Sequence, residues 1–132
     1  MRVWRVGHRT ALDNGFPSGP YTAKGLTEDD YDRLRGMGWS HSDERHPSPY
    51  SDSGLRGIDS SERCGFDSAE ALNQWFDEWT EKLAASGFTV WEYEVPDWAV
   101  RVGKFGQVVF RADEAVEVST HEFTYAQPAL FA

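Results

Sequence analysis

Residues 90–119 read VWEYEVPDWAVRVGKFGQVVFRADEAVEVS, and the fold follows from them. Trp91, Tyr93 and Val95 alternate with Glu92 and Glu94. That two-residue period predicts a strand over 90–95 with one apolar face and one wet face. Pro96 ends it. A short strand is expected at 99–102, then a turn within 103–106 between two glycines. Strands are predicted at 107–111 and 115–119, separated by Ala112, Asp113 and Glu114. Strands that follow one another so closely pair antiparallel, so the expected class is α+β.

Upstream lies the strongest helix pattern, 68–85. Asp67 is read as its cap, with Glu70 three residues on. Leu72, Trp75, Phe76, Trp79 and Leu83 fall on one face of a single long amphipathic helix, and Gly87 suits its C-terminal end. That face is expected to pack on the sheet. A shorter helix is predicted over 27–35, capped by Thr27 and led by Glu28, Asp29 and Asp30. Residues 1–8 alternate as a strand, with Trp4, Val6 and His8 on one side and Val3 and Arg5 on the other. The expected architecture is a mainly antiparallel twisted sheet packed by one long and one shorter helix. It forms a single domain over 1–132, with a long irregular loop at about 39–62 where Pro47 and Pro49 bar regular structure. The apolar tail at 123–132 contains Pro128 and is expected to dock or fray.

Composition narrows the function classes. Aromatic residues make up 14% of the chain, enough to build a core at this length. Net charge is −9, unevenly spread: 1–66 carry nine basic against ten acidic residues, and 67–132 carry four against twelve. The acidic half repels phosphate backbones and anionic membranes, so neither nucleic acid nor membrane is an expected partner. An anionic ligand would bind in the first half, which holds His8, His41 and His46 and most of the arginines. With one cysteine, Cys64, no internal disulfide can form. No apolar leader or run of spanning length is present, and the cytoplasm is the expected location.

Several groupings bear on chemistry. His41, Asp43, His46 and Asp52 offer metal-capable atoms, but their spacing fits no closed site, and no metal is expected. Cys64 precedes a helix and reads as a packing residue. No phosphate-binding glycine motif is present. The grouping that stands out is Arg5, His8, Tyr21 and Gln107, with Tyr50 and His46 as further ligand-contacting candidates. A cation or imidazole, an aromatic platform and an amide together suit a polar aromatic ligand such as a nucleotide.

Two resemblances add to this reading. Val3-Trp4-Arg5-Val6-Gly7-His8, Gly19-Pro20-Tyr21, and Cys64-Gly65-Phe66-Asp67-Ser68 before a Trp-Phe helix resemble small proteins of actinobacterial and phage type over nearly the whole chain. That resemblance implies no activity. Tyr93-Glu94-Val95-Pro96 followed by Gly106-Gln107-Val108-Val109-Phe110 resembles the late strands of the ADP-ribosyltransferase fold. The likeness implies NAD as ligand, with Arg5, His8 and Gln107 as catalytic positions and Tyr21 or Tyr50 beside them. Gln107 stands where that fold carries a glutamate, and an amide cannot take a proton as a carboxylate does. The chain therefore reads as a nucleotide-binding, ADP-ribosyltransferase-like domain of doubtful catalysis. The alternative is an acidic interaction module, such as a phage protein that binds a host protein.

Overall fold

A computed structural model describes residues 1–123. Of the tail expected at 123–132, residues 124–132 lie outside them. The chain begins with β1 (Arg2–His8), then a small hairpin of β2 (Leu12–Asp13) and β3 (Phe16–Pro17). Asn14 and Gly15 turn that hairpin with φ of 52° and 80°, conformations suited to Asn and Gly. Helices α1 (Glu28–Arg33) and α2 (Met37–Ser40) follow, then β4 (Glu62–Phe66), α3 (Ala69–Trp75) and α4 (Thr80–Ala85). The last elements are β5 (Phe88–Glu94), β6 (Val100–Val102), β7 (Gln107–Arg111) and β8 (Val116–His121).

Six strands form one antiparallel sheet in the order β6-β7-β4-β1-β5-β8, which makes the molecule α+β as expected. One face is covered by the helices. Val6, Phe66, Leu72, Phe76, Leu83, Phe88 and Val90 meet there. The other face gathers Val3, Tyr93, Val95, Val108 and Phe110, with Phe16 of the hairpin laid over Tyr93 at 5.2 Å between ring centroids.

Three expectations need correction. The single long helix is two short ones. Glu78 takes a left-handed φ of 75° between α3 and α4, which stops the first helix and lets the second start at a new angle. Its apolar stripe still reaches the core, since Leu72 and Leu83 are fully buried. The cap is Ser68, whose hydroxyl accepts from Ala71 N at 3.1 Å, and not Asp67. A strand also occupies 62–66, where none was expected. Cys64 and Gly65 break its apolar alternation, and Gly65 is small because Val3 and Phe110 close in on it.

Of the loop expected at about 39–62, residues 39–40 end α2 and Glu62 opens β4, while the 41–61 segment between them lacks regular structure yet is pinned. Asp52, 2% exposed, accepts backbone N–H groups from Gly54 at 3.0 Å and Lys104 at 3.0 Å. Arg101 donates to the carbonyls of Leu55 and Gly57 and forms an ion pair with Glu62 at 2.7 Å.

Candidate functional site

The ladder between β1 and β4 sets the site. β1 pairs with β5 along its whole length, Arg2 to His8, but meets β4 only at Trp4 and Phe66. Beyond that point the two strands part. A cavity of about 620 Å³ lies at the parting, bordered by the loop after the hairpin, by the 41–61 segment and by α3. Its volume falls in the range of roughly 300–1,000 Å³ usual for small-ligand pockets.

Arg5 reaches into the split. Its Nη1 donates to Cys64 O at 2.8 Å, a carbonyl the short ladder leaves free, and Nη2 donates to Pro17 O at 3.2 Å. Only 7% of Arg5 is exposed and its Nε has no hydrogen-bond partner. Burial pulls the guanidinium down to about 10, the direction expected for a cation removed from water. Arg63 is nearby, bonded through its Nη atoms to the carbonyls of Ser60, Glu62 and Asp13, with Nε again unpartnered. Both guanidinium carbons lie over the Phe16 ring, at 5.5 and 5.7 Å from its centroid. The carboxylates bordering the cavity are engaged elsewhere: Asp13 with Lys24 at 3.2 Å, and Glu62 with Arg101.

The helical side of the cavity is aromatic. Trp75 Nε1 donates to Tyr21 Oη at 2.7 Å. Tyr21 Oη lies 2.6 Å from His41 Nδ1. Burial pushes the Tyr21 phenol well above its ordinary range, so it keeps its proton. With Trp75 donating to it, Tyr21 donates in turn to His41, whose Nδ1 is then the bare acceptor. His41 is held down to about 4, first by burial and then by His46. His46 stacks on His41 with centroids 4.2 Å apart and faces acceptors at both nitrogens, Asp43 Oδ1 at 2.8 Å and Trp75 O at 2.9 Å.

Of the residues expected at the site, Arg5, Tyr21, His46 and Gln107 border this cavity. His8 does not. It turns toward Ser86 O at 3.1 Å and packs edge-on against Phe88. Tyr50 is 73% exposed and donates to Ile58 O, with Gly57 under its ring. Arg5 and Gln107 do not share a side of the sheet. Trp4, Phe66 and Gln107 form one row across three strands, so Arg5, one residue on, points to the opposite face. Gln107 is spoken for, its amide donating to Pro47 O at 2.9 Å. Sequence reasoning missed Arg63 and Trp75 as site residues and placed His41 only in a metal set. Arg63 and Trp75 carry no motif, since only the parting of β1 from β4 brings them to one cavity. Among the described residues no group of three or more His, Cys, Asp or Glu side chains is placed to hold a metal ion. Among the same residues no helix is long and apolar enough to cross a membrane.

A family model described as bacteriophage T4 Y00F protein matches residues 1–124. No curated protein and no solved structure matches the chain.

Proposed function

The chain belongs to the bacteriophage T4 Y00F protein family, and we propose that it is a nucleotide-binding domain that holds its ligand without transferring any part of it. One observation carries this reading. A buried arginine without a carboxylate partner and a wall of Tyr21, Trp75, His41 and His46 border the same cavity. A nucleotide has matching ends, a flat ring for the aromatic wall and an anion for the cation. The likeness to ADP-ribosyltransferases makes NAD the first probe. No transfer is proposed, because Gln107 is an amide whose nitrogen is committed to Pro47 O.

Isothermal titration with NAD and with AMP tests it. Saturable binding of at least one is expected, weakened tenfold or more by Trp75→Ala or Arg5→Lys in protein that still melts cooperatively. A parallel assay is expected to detect no nicotinamide release. Absence of heat with both ligands would remove the nucleotide reading. The interaction module would then lead, on the strength of the exposed aromatics Trp39, Tyr50 and Trp98.

A further inference from the structure

Arg5 and Arg63 have more positive charge between them than their surroundings answer. All four of their hydrogen-bonded partners outside Arg63's own residue neighbour are backbone carbonyls: Cys64 O and Pro17 O for Arg5, Ser60 O and Asp13 O for Arg63. Carbonyls carry only partial charge, and among the described residues neither guanidinium forms a direct ion pair with a carboxylate. Each side chain also keeps a buried Nε with no partner. Buried donors in folded proteins are nearly always satisfied, so the two orphans show that the backbone carbonyls leave both guanidinium groups under-partnered. A third orphan, the Tyr93 hydroxyl, belongs to the same neighbourhood, since Tyr93 stacks on the Phe16 ring that both guanidinium groups flank.

Resting on the nucleotide reading above, we propose that Arg5 and Arg63 clamp a terminal phosphate, so the ligand is a phosphate monoester such as a nucleoside monophosphate and not a dinucleotide. Two guanidinium groups match a dianion in charge, and their planar donors match phosphate oxygens in geometry. Position argues for a terminal group. Arg5 lies in the split between two sheet strands, and the β2–β3 hairpin lies over the far face, with Phe16 packed on Tyr93 and Phe110. A phosphate can end there. A pyrophosphate bridge, which needs chain on both sides, cannot. The ring then extends back along the cavity toward Tyr21 and Trp75.

Titrations with AMP, adenosine, 3′,5′-cyclic AMP, NAD and inorganic phosphate, each on the wild type and on Arg63→Gln, test the clamp. Circular dichroism and thermal melting confirm folding, and Arg63→Lys serves as the milder variant. AMP is expected to bind about ten- to a hundredfold more tightly than adenosine or the cyclic ester, the span of a charge-assisted hydrogen bond or two. Arg63→Gln is expected to erase that advantage while leaving adenosine unchanged, and inorganic phosphate is expected to compete with AMP. Equal affinity for AMP and adenosine overturns the clamp, as does an AMP affinity indifferent to Arg63. Binding of NAD without AMP overturns it too, while the nucleotide reading stands. If no nucleotide binds but phosphate raises the melting temperature in an Arg63-dependent way, the clamp holds and the nucleotide reading falls. If neither binds, both fall.

Discussion

At the scale of single residues, the site depends on which groups are forced to stay neutral. His41 is the sharpest case. Its folded value of about 4 lies below the ordinary 6.5, chiefly because burial disfavours the charged ring. The unfolded chain therefore binds the proton more readily between those values, and stability rises with pH across that window. The contribution is complete above about pH 6.5 and is lost as pH falls toward 4. Denaturant melts at pH 7.5 and 5.0 are expected to show lower stability at pH 5.0, with the difference reduced in His41→Gln. Asp43, Asp59 and Glu92 are all held below their ordinary values of 3.8, 3.8 and 4.5 by hydrogen bonds, so their losses fall mainly below the pH 5.0 of this comparison. The residue scale is also where the sequence was least legible. Arg5, Tyr21, His46 and Gln107 were picked out as types, and the cavity gathers them. His8 and Tyr50 were picked out on the same grounds and fall elsewhere. Residue type alone does not tell which side of a strand faces a cleft, nor that a ladder opens after one pair.

At the scale of elements, most boundaries were legible because they rest on local chemistry. Thr27 caps α1 by accepting from Asp30 N at 3.2 Å. β7 occupies residues 107–111 as the sequence indicated. What was not legible was the break between α3 and α4, since a periodic apolar stripe continues across a helix break if the second segment is re-aimed at the same core. Glu78 bears the cost of that break. A side chain in the left-handed region costs about 1–2 kcal/mol, and glycine there avoids it while losing about 0.5–1 kcal/mol of chain entropy. Glu78→Gly is therefore expected to raise stability by about 0.5 kcal/mol, as read from urea melts, and leave the fold unchanged. A loss of stability would mean that the Glu78 side chain holds the break in place. The β4 strand was hidden for a different reason. Its centre is Cys64-Gly65, and a Cβ at Gly65 would sit 2.5 Å from Val3 Cγ1. Close strand packing selected a residue that carries no strand signal.

At the scale of the whole molecule, the sheet and the irregular segment act on each other through Asp52. This carboxylate lies in the 41–61 segment yet holds the backbone at Lys104, in the turn that joins β6 to β7. The same segment supplies Pro47, whose carbonyl receives the Gln107 amide and which borders the cavity. Asp52→Ala removes the charge-assisted hydrogen bonds that the carboxylate accepts from the Gly54 and Lys104 N–H groups, at roughly 1.5–3 kcal/mol. It is expected to lower stability, to open residues 41–61 to limited proteolysis and to weaken ligand binding together. Stability lost without a change in cleavage pattern would show that the segment is held by something else. The α+β class was legible at this scale because closely spaced strands leave little choice but antiparallel pairing. The strand order was not, because it rests on where residues 1–8 insert.

That insertion has a consequence in time. β1 precedes the other described strands and occupies an inner position, with β5 on one side and β4 on the other. Its ladder joins Arg2 to Glu94 and His8 to Phe88, so it finds its main partner only once residues 88–94 have been made. Until then Val3 and Val6, both buried at the end, have no sheet to join. Pairings this distant in sequence slow folding, because a long loop must close before any contact rewards it. β1 lies between the β6-β7-β4 and β5-β8 groups, so the strand that carries Arg5 is also the one that joins the two parts of the sheet.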